Sequence, residues 1–177
     1  MFLHALDATV SRSKAFEVAR PLFRRHDLPR PSLIKRPSSM KDTDLHPAYF
    51  KVRFRGPWPD RSQPDEFAII TAYATTGENW PEERNRAADL ELENELRETG
   101  SWMRRLTGYD PATGHAEPGW AVEMCFEAAC DLRLSFKQDA IFWISGNRVW
   151  VAKCGPDRQL AEIGPFDDRF YMKEGTE

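Results

Sequence analysis

The densest collection of chemistry-bearing side chains runs from His115 to Cys130. His115-Ala116-Glu117-Pro118 followed by Cys125 and Cys130 offers the residue types of a deaminase-type zinc site, in which three ligands hold the metal and a glutamate shuttles the proton. The spacing argues against it. Four residues separate the cysteines where two are needed, no proline precedes them, and Pro118-Gly119 interrupts the segment where a helix is required. No metal ligand is therefore assigned. A phosphate loop, a dinucleotide fingerprint and a nucleophile elbow are also missing, so no cofactor is expected.

What remains is a polar set: Thr71, Tyr73, Asn85, Glu117 and Gln138. Amides with one carboxylate can line a ligand pocket, with Glu117 as its acid or base. The same amides can instead satisfy loose backbone groups, while Glu117 caps a turn or pairs with an arginine. A second set is cationic. In Tyr49-Phe50-Lys51-Val52-Arg53-Phe54-Arg55, strict alternation sends Phe50, Val52 and Phe54 one way and Lys51, Arg53 and Arg55 the other. Such a row contacts phosphates or an acidic partner, or it guards a sheet edge against aggregation.

The elements that must position these residues follow from hydrophobic periodicity. Phe67-Ala68-Ile69-Ile70-Thr71-Ala72-Tyr73 is short, apolar on both faces and fenced by turn residues, which predicts the central strand of a core covered on both sides. Asn79 is read as the cap of a helix running to Thr99, with Gly100 just past its end. Its inner face is Pro81, Asn85, Ala88, Leu92 and Leu96. Strands are expected at 101–106 and 120–126, a helix at 127–136, and a hairpin pairing 140–144 with 148–152 across Ser145-Gly146-Asn147. From residue 67 the order is β-α-β-β-α-β plus one strand. This predicts an α+β, split β-α-β (ferredoxin-like) fold, its sheet antiparallel or mixed, with two helices on one face and a basic N-terminal arm. Three segments result: a basic, proline-rich arm with a short helix at 1–48, the α+β domain at 49–154, and an irregular tail packed on it at 155–177.

Composition bounds the class. The hydrophobic share is 41%, with six tryptophans and eleven phenylalanines, enough for a real core. No apolar run approaches the roughly 20 residues of a membrane span, and the start carries no secretory pattern, so a cytoplasmic location is expected. The three cysteines, Cys125, Cys130 and Cys154, include no C-x-x-C, and they read as small buried hydrophobes rather than a disulfide framework. Residues 1–41 hold nine Lys/Arg against three acids, so in a chain of net charge −3 the remainder carries −9. The arm, with Arg24 and Arg25, could steer toward a protein or nucleic-acid partner or fold onto the acidic body; no membrane partner is expected.

With these residues in view, the chain resembles a bacterial family catalogued as domain of unknown function 3293. The resemblance rests on Ala68-Ile69-Ile70-Thr71-Ala72-Tyr73, on Asn85-Arg86-Ala87-Ala88-Asp89-Leu90 with Leu96 and Gly100, on Ala116-Glu117-Pro118-Gly119-Trp120, and on Phe136-Lys137-Gln138-Asp139-Ala140-Ile141-Phe142-Trp143. Tyr73-Ala74-Thr75 departs from the family's tryptophan-asparagine-proline, Asp89 from an asparagine and Lys137 from a glycine. The resemblance implies no reaction, and it selects Thr71, Asn85, Glu117 and Gln138. The expected function is a binding or regulatory module with a polar pocket. A small enzyme using Glu117, and nucleic-acid binding through the basic N-terminal region, are the alternatives.

Overall fold

A computed structural model describes residues 45–57, 63–75, 78–155 and 158–172. The expected arm helix, Arg24 and Arg25 lie outside the described residues. A 3-10 turn at Pro47–Phe50 leads into β1 (Arg53–Gly56). There follow β2 (Glu66–Ile70), α1 (Glu82–Thr99), β3 (Met103–Tyr109), β4 (Ala116–Val122), α2 (Phe126–Ser135), β5 (Ile141–Ser145), β6 (Arg148–Lys153), β7 (Gln159–Pro165) and β8 (Phe170–Met172).

β2 sits in the interior, hydrogen-bonded to β4 on one side and β5 on the other. Phe67 to Ile70 are all buried, because alternate side chains enter different cores. Ala68 and Ile70 join the cluster that holds Leu92 and Leu96 of α1 with Phe126, Ala129 and Cys130 of α2, so both helices cover one face. Phe67 and Ile69 join Phe54, Leu106, Ile144 and Phe166 on the other. The sheet order is β7-β6-β5-β2-β4-β3-β1-β8, with β1–β8 the one parallel pair. Within it β4 lies between β2 and β3, and β2 between β4 and β5. Among the described residues the fold is thus a mixed α/β arrangement of two α-helices on an eight-stranded sheet, larger than the order of elements suggested.

The second face has no α-helix among the described residues; curling covers it, with Leu45 and, from the 3-10 segment, Tyr49 and Phe50 packed on it. Phe54 of β1 and Phe142 of β5 are four strands apart, about 19 Å in a flat sheet, yet their ring centroids are 5.1 Å apart. Phe54 also meets Phe166, just beyond β7, at 6.2 Å. Arg169 ties the seam of this curl. Its Nη1 donates to Phe50 O at 3.1 Å and Val52 O at 2.9 Å, and its Nε to Ile163 O at 3.1 Å. Burial pushes this guanidinium below its ordinary pKa, with Arg53 adding to the effect and Asp168 opposing it.

Four expectations are corrected. The alternation at 49–55 becomes a turn and then a shorter strand, because Pro47 at the turn's first position and the His46 side chain, accepting from Ala48 N at 3.3 Å, start a local 3-10 bend. β1 is not an edge, since β8 pairs with it. α1 is capped by Pro81 rather than Asn79, its carbonyl accepting from Arg84 N and Asn85 N, while Glu82 and Glu83 favour the positive end of the helix dipole. The tail is not irregular: Ala161 and Ile163 alternate inward along β7, and Gly164, at φ 117°, carries the strand past a bulge at Val149/Trp150. The expected end of α1 holds, with Gly100 at φ 63° and its N–H on Arg97 O.

The cysteines are also corrected. Cys130, on the buried side of α2, forms a disulfide with Cys154 just after β6, their Cα atoms 5.1 Å apart across a separation of 24 residues. Cys125 is free. Nothing local signals this pairing, because it depends on α2 packing over the same face of the sheet as the end of β6.

Candidate functional site

The loop that leaves β2 is held by three side chains from three distant parts of the chain. Thr71 Oγ1 donates to Pro118 O of β4 at 3.1 Å and accepts from Tyr73 N at 3.3 Å. Asn85 Oδ1, in the first turns of α1, accepts from Ala74 N at 3.0 Å. Gln138 Nε2, between α2 and β5, donates to Tyr73 O at 2.5 Å and to Phe136 O at 3.3 Å. Gln138 is the one buried polar residue among those described, at 7% exposed. Arg133 Nε in turn donates to Gln138 O. The amide residues selected from sequence thus converge on the backbone of residues 71–74, and leave it few ways to move.

Gly119 explains how closely the loop can sit. A Cβ there would lie 2.8 Å from Ile70 O, closer than carbon and oxygen tolerate. Beside the loop, Asp89 takes both ends of the Arg105 guanidinium, at 2.8 and 2.7 Å, and Arg105 stacks over Trp120 with 4.8 Å to the ring centroid. Trp120 lies opposite Ile70 in register. Tyr73 titrates above the ordinary phenol range, chiefly through burial, then through Glu82 and Asp89, with Arg105 and Arg86 opposing. Its hydroxyl is therefore a donor at neutral pH.

On the loop and the elements that meet it, some donors have no protein partner. Among the described residues, Thr75 Oγ1, Trp120 Nε1 and Arg133 Nη1 are buried without a hydrogen bond. Thr75 ends the described part of the loop, Trp120 pairs with the residue leading into it, and Arg133 is bonded to Gln138. Arg133 is pushed below its ordinary pKa by burial, against the attraction of Asp139 and Tyr49. In the sequence Trp120 stood out only as the end of a motif and the start of a strand, and nothing marked Arg105 or Arg133. The pairing Arg105↔Trp120 could have been suspected only once β3 and β4 were known to be neighbours.

Glu117 stands apart. Counting by twos from Trp120, which faces the helices, puts Glu117 on the opposite face of β4 from Asn85. There it meets His115, Nε2 to Oε1 at 2.8 Å, with the histidine side chain 70% exposed. Cys130 is not a free thiolate, being bonded to Cys154, which removes the zinc-ligand set considered above.

The cationic residues lie elsewhere. Lys51 and Arg53 border a cleft of about 350 Å³ at the seam of the curl, which Asp110, Asp168 and Arg169 also line. Arg53 Nη1 reaches Asp168 O at 2.5 Å and Tyr171 Oη at 2.6 Å. Arg55 lies over the Tyr109 ring, 4.9 Å from its centroid.

Residues 70–141 match the profile of a family described as "Protein of unknown function (DUF3293)". The matched segment, from Ile70 to Ile141, contains the whole loop site but neither β1 nor β8. No curated protein and no solved structure matches the chain.

Proposed function

We propose that the DUF3293 segment is a binding module whose site is the loop after β2, with no reaction assigned. Thr71, Tyr73, Asn85 and Gln138 are its pocket residues, and the first and last two hold the loop in position. The observation that carries the reading is the trio of buried, unpartnered donors at Thr75, Trp120 and Arg133. A buried donor without a partner costs about 1–3 kcal/mol, so three on the loop and on the elements that meet it favour an occupant that supplies acceptors. Two of the three can only donate. The ligand is accordingly a small molecule with carboxylate or phosphate oxygens, and ordered water is its competitor. Titration calorimetry with inorganic phosphate and a small dicarboxylate tests this. Trp120→Phe, which removes one N–H and keeps a ring, should weaken binding about tenfold; equal affinity in both proteins would remove the site.

One geometric fact favours a second reading. Glu117 paired with His115 at 2.8 Å is the arrangement in which a carboxylate orients an imidazole for acid-base work. Glu117→Gln should abolish any turnover while leaving the melting temperature unchanged. Turnover that survives the change excludes it.

The split β-α-β order of β2 to β5 supports a ferredoxin-like core extended by β1, β6, β7 and β8. The domain limits 49–154 then widen to take in β7 and β8, with residues 1–48 as an appended arm. Among the described residues no helix is long and apolar enough to cross a membrane. A cytoplasmic location is the expectation from sequence, and the Cys130–Cys154 disulfide weighs toward an oxidising compartment. Alkylation of free thiols in freshly lysed cells decides between them: three labelled cysteines mean reduced, one means the bond is native.

A further inference from the structure

The helices do not cover the whole of their face. α1 packs on β4, and α2 on β2 and β5. Beyond β4, α1 reaches β3 where Asp89 holds Arg105, and the sheet continues through β1 and β8 with no helix packed extensively on them among the described residues. Phe54 points into the inner core, so Arg53 and Arg55 point out onto this open face. Register puts Arg53 beside Tyr109 and Arg55 beside Tyr171. The result is an alternation of cation and ring across three strands. Arg53 lies 5.4 Å from the Tyr171 centroid and Arg55 lies 4.9 Å from that of Tyr109. Tyr171 is 47% exposed, one of the few large apolar side chains at the surface.

Charge singles out the same place. The chain has 28 acids and a net charge of −3, yet on this face β1, β3 and β8 present Arg53, Arg55 and the Asp89-bound Arg105, and no acid of their own. Residues 1–41 ahead of them are basic as well, with nine Lys/Arg against three acids.

We propose that the open face of β3, β1 and β8 binds single-stranded nucleic acid, with phosphates at Arg53 and Arg55 and bases stacked on Tyr109 and Tyr171. Guanidinium and carboxylate would suffice for an acidic protein. The rings add what only a nucleic acid uses: flat π surfaces that stack on unpaired bases without regard to sequence. A duplex hides those base faces, so the single strand is the form that fits. This site shares no residue with the loop after β2, and either can fail without the other.

The test is fluorescence anisotropy of the full chain with a short labelled oligothymidylate, against a duplex of equal length and a polyglutamate peptide. Single strand should bind best. Arg55→Glu should weaken it tenfold or more and reduce the slope of log K against log salt by about 0.7 or more. Tyr171→Ala should weaken it at least fivefold without changing polyglutamate binding, and Tyr171→Phe should retain it. Unchanged melting temperatures keep these readings about binding, and Arg55, which lies over the Tyr109 ring, is chosen for that reason. Several results overturn the proposal: no single-strand binding, equal affinity for polyglutamate with Tyr171→Ala silent, or a preference for duplex. So does binding unmoved by Arg55→Glu, which would place it on the arm. Light scattering that shows self-association abolished by Arg55→Glu also overturns it, because the partner is then the acidic α1 of a second copy.

Discussion

In the loop after β2, polar side chains point at backbone; on the open face of β1, β3 and β8 they point at rings and water. Asn85 accepts from and Gln138 donates to main-chain groups of the loop, and Gln138 does so while buried. Arg55 does the reverse: it is exposed, touches Tyr109 and holds nothing in place. Burial decides the energetic weight. An unmet hydrogen bond costs far more inside than at the surface, so the first region is where the fold is fastened and the second is where change is cheap.

Replacing Gln138 should therefore have the largest effect. Gln138→Leu strands the carbonyls of Tyr73 and Phe136 in the core and should lower stability by about 3 kcal/mol, read as a shift in the urea midpoint. A shift no larger than that of a surface change would dissolve the contrast. Asn85→Ala leaves one half-buried amide, Ala74 N, without its acceptor, and about 1–2 kcal/mol should be lost. Tyr73 supplies a smaller, pH-dependent effect. Its folded pKa lies above the unfolded value of 10.0, so the stabilisation is fully present below pH 10 and is lost as pH rises beyond it. Tyr73→Phe should flatten that alkaline limb in melts followed from pH 9 upward. Least affected should be Arg55→Ala, whose stability should stay within about 0.5 kcal/mol of the parent.

The same contrast explains what was legible in the sequence. β2, the end of α1 at Gly100 and the β5–β6 hairpin are written in short-range pattern, and each stands near its expected place. Asn85 and Gln138 could be singled out because a polar residue on an apolar face, or beside a buried strand, is conspicuous within a few positions. Glu117 was grouped with them because β4 was expected to start at Trp120; beginning at Ala116, its period of two puts Glu117 on the far face. The seam, the Cys130–Cys154 bond, β7 and β8 were illegible for another reason. Each depends on partners far away in the chain, as when Arg169 binds the carbonyls of Phe50 and Val52. The paired Gly-Pro steps around β7 also mimic loop punctuation.

The most direct measurement concerns the indole N–H of Trp120. In a titration of the labelled protein with phosphate or a small dicarboxylate, its amide-region resonance, assigned with Trp120→Phe, should move progressively and saturate as a bound oxygen takes the proton's free side. A resonance that stays fixed while other signals confirm a folded protein would mean that water, not a ligand, fills the space beside the loop.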